Sequence, residues 1–192
     1  MHAVPARPGS EHVDPLLEHV HRLVVLGDDA DVAAVLLRLL RTERLDVEVA
    51  VVGVRATALT RTWSLPTGPP AARAALRQAA RVTPLLRTTQ GGVVAGEATV
   101  RGLGGAALHG EAYADDALLF SGDVPAVQVG TGDQGVRARV RGRVRRGPWL
   151  SARALQLGST GADVITDGVP QGDRVPRWSF YRHTVDWRLV RP

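Results

Sequence analysis

Two stretches of this sequence place chemically capable side chains at spacings that matter. The first is Gly27-Asp28-Asp29-Ala30-Asp31, set between the apolar run RLVVL at 22–26 and the segment VAAVLLRLL at 32–40. A turn joining a strand to a helix is where α/β folds meet ligands, because the helix start presents unpaired N–H groups and the positive end of its dipole. Read for function, these residues form a phosphate or metal site; read for structure, they are a solvated turn with Asp31 capping the helix. Three carboxylates repel bare phosphate and would tolerate it only through Mg²⁺, which takes carboxylate ligands readily. The second stretch is VRARVRGRVR at 136–145, where Arg137, Arg139, Arg141, Arg143 and Arg145 alternate with smaller residues. On a strand all five guanidinium groups line one face. That face is either a docking surface for anionic lipid headgroups, a nucleic-acid backbone or an acidic protein, or a solvated face paired by acids on neighbouring strands.

Other chemistries lack their parts. His2, His12, His19, His21, His109 and His183 show no ligand spacing with a carboxylate, so a metal site built on them is not expected. The chain has no cysteine, no Gly-x-Ser-x-Gly and no Walker-type loop, which removes thiol, nucleophile-elbow and P-loop chemistry. Trp178, Phe180, Tyr181 and Trp187 cluster near the end, and aromatics so placed are expected as sandwich core. The net charge of +5 points toward an anionic partner, yet all 24 basic residues are arginine, with no lysine and no asparagine. That bias reads as coding composition as much as function, and nucleic acid is not the expected partner. The charge is uneven: 7 arginines against 9 acids over residues 1–66, and 17 against 10 over 67–192.

The elements that must position these residues follow from periodicity. With 192 residues, 44% apolar and 22% charged, the chain has globular composition and length for a sizeable core. Its longest apolar run, 32–37, falls far short of the roughly 20 residues that span a bilayer. The opening residues lack a secretory pattern, so a cytoplasmic location is expected, including its membrane surface. A short helix is expected over 15–21 with Asp14 before it as N-cap, then strand 22–26, a helix from Asp31, strand 47–52 and a helix over 57–63, giving a short parallel βαβ unit. Breakers at 66–70 precede a strong helix former at 71–81, read as a bridge. Nine short β-type runs follow, at 93–100, 106–113, 116–121, 125–129, 136–145, 151–157, 162–166, 176–182 and 185–190, which suggests an antiparallel sandwich. The expected organisation is a truncated α/β domain at 1–66, a bridging helix and linker at 67–89, and a β-sandwich-like domain at 90–192.

In this order and spacing the chain resembles the bacterial diacylglycerol kinases and related lipid kinases. Gly27 and Asp29 fall on the first Gly and the Asp of that family's Gly-Gly-Asp-Gly-Thr nucleotide loop, while Asp28 and Ala30 stand on its glycines and Asp31 on its Thr. VVGVRATALTRTWSLP at 51–66 resembles the family's Gly-Thr-Gly-Asn-Asp-Phe-Ala-Arg segment, with Arg61 and Pro66 matching and Val54 to Ala58 replacing the Gly-Thr-Gly-Asn-Asp core. Near the end Asp167 and Gly168 match an Asp-Gly-Glu turn, and Val169 occupies the place of the Glu that serves as general base. The family's opening strand and Asn-Pro phosphate loop have no counterpart in the sequence.

The resemblance implies the kinase fold, and the departures imply lost catalysis, since phosphoryl transfer rests on positioning and charge stabilisation by the substituted groups. The expected protein is a degenerate lipid-kinase relative with a binding or regulatory role at anionic lipid, needing no cofactor and offering no identified catalytic residue. Two alternatives stand beside it. One is an active kinase using ATP, Mg²⁺ at Asp29 and Arg61 near phosphate; the other is a protein interaction module unrelated to lipid.

Overall fold

In chain order the computed structural model contains α1 (Ser10–Val13), β1 (Arg22–Leu26), α2 (Asp29–Arg41), β2 (Glu48–Val52), α3 (Ala58–Thr62), α4 (Pro69–Arg77) and β3 (Ala80–Thr83). There follow β4 (Leu86–Thr88), β5 (Val93–Val94), β6 (Glu97–Gly102), β7 (Leu108–Ala114), β8 (Ala117–Val124), β9 (Val127–Gly132) and β10 (Gly135–Val140). The last are β11 (Leu150–Ala152), β12 (Ala154–Ser159), β13 (Ala162–Thr166), β14 (Val169–Pro170), β15 (Arg177–Arg182) and β16 (Trp187–Val190). The structure describes residues 2–142, 146–172 and 176–192. Arg143 and Arg145 of the arginine run lie outside the described residues.

Two compact units emerge, 1–83 with 184–192, and 84–183. In the first, β1 and β2 are parallel with α2 between them, which is the βαβ unit read from the sequence. α2 forms because Val32, Val35, Leu36 and Leu39 recur at helical spacing and are all buried. Before it, the expected helix over 15–21 is absent: the chain makes α1 and a single tight turn at Asp14–Leu16. Asp14 ends α1 and does not serve as an N-cap. Its carboxylate instead grips Arg38 of α2 through Nε at 2.9 Å and Nη2 at 2.6 Å, and those hydrogen bonds hold its pKa below the usual carboxylate range.

The sheet of this unit runs β1-β2-β16-β3. The final strand, read from the sequence as part of the sandwich, instead enters here, parallel to β2 and antiparallel to β3. The helix read over 71–81 ends at Arg77, where Gln78 turns extended and 80–83 peel away to pair with β16. Strand pairing overrides the local helix preference of Ala-Ala-Arg. α4 packs Ala75 against Ala50 and Val190, close enough because all three are small. It is therefore an integral layer of this unit, where the sequence suggested a bridge.

The second unit is a sandwich of two six-stranded antiparallel sheets, β11-β10-β9-β6-β13-β14 and β5-β4-β15-β12-β7-β8. Alternation decides which side chains go inside. Val127, Val129, Val136 and Ala138 of one sheet meet Leu155, Leu157, Trp178 and Phe180 of the other in a single core. An α/β unit followed by an antiparallel sandwich is the fold class that the sequence implied.

Trp178 is buried in the sandwich core, whereas Trp187, 2% exposed, is buried in the first unit, because β16 carries it there. Trp187→Ala is expected to cost about 3 to 5 kcal/mol, as deletion of large buried aromatics does, measured by denaturant unfolding. In a chain whose two units unfold separately, the loss should fall on the transition of the α/β unit; a shift confined to the sandwich transition would contradict this assignment.

Candidate functional site

The loop at 27–31 is built around its own carboxylates. Asp28, not Asp31, is the N-cap of α2: its Oδ1 accepts the Ala30 N–H at 2.9 Å and the Asp31 N–H at 3.2 Å. Asp31 closes a capping box by accepting the Asp28 N–H at 3.0 Å, and its other oxygen accepts the Arg7 N–H at 2.8 Å. A side chain at Gly27 would run into the Asp31 carboxylate, so the capping box itself requires this glycine. Amides that a nucleotide phosphate would use at a helix start are thus already taken by acceptors of the chain.

Asp29 points the other way, into the unit, and is 7% exposed. Its Oδ2 accepts the Leu59 N–H of α3 at 3.1 Å, tying the second loop to the first. Oδ1 is buried without a hydrogen bond of good geometry, although the Thr57 hydroxyl and Ala58 amide lie near the carboxylate. Burial raises the Asp29 pKa, against the Thr57, Leu59 and Ala58 groups that favour the charged form, and the charge of Asp28 adds to the rise. α3 has its own capping box between Thr57 and Thr60. Arg61 turns back onto the Ala56 carbonyl at 3.1 Å, and Val54, where the resembled family has its glycine-rich core, is 90% exposed.

The turn at 167–168 is equally self-contained. Asp167 and Gly168 both have positive φ, +50° and +81°, between the paired Thr166 and Val169, which makes a two-residue hairpin suited to Asp-Gly. The Asp167 carboxylate accepts the amides of Ala95, Gly96 and Glu97 at 2.9, 2.8 and 3.0 Å. It anchors the entry to β6. Val169 begins β14, half-buried, with no group that could take a proton.

The arginine run is partly engaged. On β10, Val136 and Ala138 face the core and Arg137 and Arg139 face outward. Arg139 donates Nε and Nη2 to Gln128 Oε1 at 2.8 and 2.7 Å, and Gln128 donates in turn to Glu97. Both guanidinium groups lie over Trp149, at 4.5 Å for Arg137 and 4.1 Å for Arg139. The Arg137 stem runs across Gly130 and Gly132 of the next strand. Burial lowers the pKa of both; for Arg139 the nearby charges of Arg146, Arg137 and Arg141 lower it further, against Glu97. Arg141 and Arg146 face each other across an isolated β-bridge, both exposed, and neither has an acidic partner among the described residues. Trp149 and Gln128 were not singled out by sequence. Trp149 sits one residue beyond the Ala138–Leu150 pair, so the hairpin register was the signal that could have found it.

Among the described residues no three acidic or histidine side chains gather to hold a metal, and no helix is long and apolar enough to cross a membrane. No protein-family model matches the sequence, and no curated protein does. Solved structures do match. A diacylglycerol kinase from Bacillus anthracis str. Sterne superposes with a TM-score of 0.74 over 100% of this chain and 84% of that one, at 11% identity. The chain has the diacylglycerol kinase fold. An NAD kinase from Archaeoglobus fulgidus, solved with ATP, follows at a TM-score of 0.67 over 99% and 82% of the two chains, at 12% identity. Within the diacylglycerol kinase fold of this chain, the aspartates at 28, 29, 31 and 167 have structural partners already.

Two outcomes follow from these partners. Asp167→Ala leaves three amides without their acceptor and should lower stability by about 3 kcal/mol, since each such loss costs roughly 1 to 3 and the three are not additive; an unchanged unfolding midpoint would show that the turn does not anchor β6. For Asp29 the folded pKa is raised, so the native state holds its proton more tightly than the unfolded chain. The burden of its buried charge is full above the folded pKa and relieved as pH falls toward the ordinary value of about 3.9. Asp29→Asn keeps an acceptor for Leu59 without the charge, so its stability relative to the parent should be best near neutral pH and decline on acidification. A difference that is flat with pH, or that grows in favour of Asn as pH falls, would contradict a raised Asp29.

Proposed function

We propose that this chain is a kinase-fold protein that has lost phosphoryl transfer and acts by binding, with the basic hairpin around Arg141 and Arg146 as its contact with anionic lipid surfaces. The observation that carries the first half is the occupation of the α2 start by Asp28 and Asp31: their carboxylates accept from Asp28, Ala30 and Asp31 themselves. A phosphate arriving there would have to displace two carboxylates and then sit beside them, with Asp29 close behind. Phosphoryl transfer also needs a group that receives the acceptor hydroxyl's proton, and Val169 at the corresponding turn has none.

The second half rests on charge. The charges of Arg146, Arg137 and Arg141 act through space on Arg139, and Glu97 is the acid that opposes them there. Each basic residue near an anionic membrane contributes on the order of 1 kcal/mol, so a few exposed ones give measurable attachment. The diacylglycerol kinase fold supports this setting by analogy alone.

Calorimetry with Mg-ATP and a diacylglycerol phosphorylation assay should both be silent, and Val169→Glu should leave them silent because the α2 start remains blocked. Micromolar ATP affinity, or turnover lost in Asp29→Asn, would instead establish the active-kinase reading. Phosphatidylglycerol vesicles should sediment the protein at low salt and release it as salt screens the charges, while phosphatidylcholine vesicles should not bind it. Arg141→Gln with Arg146→Gln should abolish that sedimentation without lowering thermal stability; binding that survives the double change, or equal binding to neutral vesicles, would refute the lipid contact.

A further inference from the structure

The outer face of the other sheet carries an open groove of about 250 Å³, lined by Glu111, Tyr113, Gln156, Gly158, Arg177 and Ser179. Register explains its shape. Gly158 of β12 pairs with Glu111 of β7 on one side and with Arg177 of β15 on the other. A carboxylate and a guanidinium therefore stand two strands apart, roughly 10 Å between backbones, with a glycine between them. A Cβ on Gly158 would meet nothing within 4 Å, so the gap is open space. In the adjacent row Gln156 pairs with Tyr113 and Ser179, which closes one end of the groove with an aromatic ring, an amide and a hydroxyl. Glu111 and Arg177 are both exposed, and among the described residues neither has a hydrogen-bond or ion-pair partner.

We propose that this groove binds a small zwitterion, its phosphate or carboxylate on Arg177 and its ammonium between Glu111 and the Tyr113 ring. A simple anion is attracted by Arg177 and repelled by Glu111, and a simple cation meets the reverse, so neither gains from both walls. A molecule with both charges a few atoms apart satisfies both. Arginine takes phosphate or carboxylate through two parallel N–H bonds, and an ammonium is stabilised by a carboxylate and by an aromatic face together. Gln156 and Ser179 add polar contacts along the length. The groove lies on the sheet opposite Arg137 and Arg139, so it stands or falls apart from the lipid contact proposed above.

The test titrates O-phosphoethanolamine into the full chain and follows backbone amides by NMR. Saturable shifts are expected at Tyr113, Gln156, Gly158 and Ser179, with a dissociation constant on the order of 1 mM. Inorganic phosphate alone and ethanolamine alone should bind about tenfold more weakly, and Glu111→Gln and Arg177→Gln should each lose about tenfold. Gly158→Val adds its side chain to open space in a strand, so it should fold with an unchanged melting temperature and bind nothing. Phosphatidylethanolamine vesicles separate the sources: sedimentation that Gly158→Val removes supports a lipid headgroup as the zwitterion, and binding of the free compound alone supports a soluble one. Inorganic phosphate binding as tightly as the zwitterion, shifts that persist in Gly158→Val, or no saturation by about 50 mM would overturn the proposal.

Discussion

A backbone amide withdrawn from water must find an acceptor, and at turn after turn in this chain the acceptor is an aspartate. Asp28 and Asp31 serve the start of α2, Asp29 serves Leu59, and Asp167 serves three amides ahead of β6. Asp115, at the tip of the β7–β8 hairpin, accepts from Arg153 and Ala154, and Asp163 accepts from Gly104. With no asparagine in the sequence, aspartate supplies most of the short acceptors that turns require. The chemistry follows from that role. A carboxylate holding an amide has already used the donor that a bound phosphate would need, and it leaves a negative charge in the phosphate's place.

This explains which parts of the molecule were legible in the sequence. The βαβ unit was, because its strands are apolar runs and α2 keeps helical spacing through Leu39. Most of the sandwich strands were, because buried and exposed residues alternate within them. The Asp-Gly hairpin at 167–168 was visible as a turn, but its anchoring role was not, since the three amides it binds lie 70 to 72 residues away. The cap of α2 was displaced by three positions, because Asp28, Asp29 and Asp31 are all competent caps and only the direction in which the chain enters chooses among them. Asp29, read in one alternative as a Mg²⁺ ligand, is buried and braces two loops through the Leu59 amide, a role that the sequence did not show.

The destination of β16 was illegible for a different reason. WRLV alternates as a sandwich strand would, and nothing local distinguishes a strand that continues the sheet before it from one that returns to the beginning. What decides is pairing: β2 has an open side that takes β16 in parallel, and β3 completes the other side. The same pairing shortened α4, so one non-local event accounts for two departures from the local reading.

Charge on the sandwich obeys a similar rule. Arg137 and Arg139 are held by Trp149, Gln128 and the glycines beneath them, so they are fixtures of the sheet and their burial lowers their pKa. Arg141 and Arg146 are a different case. Like charges directly opposed across strands are unfavourable in a sheet, and this pair has no acidic partner among the described residues. On the proposed reading, an anion seated between the two side chains offsets their mutual repulsion, and that relief adds to the binding free energy. Two like charges on facing positions of one bridge leave room for an anion to be shared between them, which is why the proposed contact with anionic surfaces centres on these two residues and leaves Arg137 and Arg139 in a supporting place.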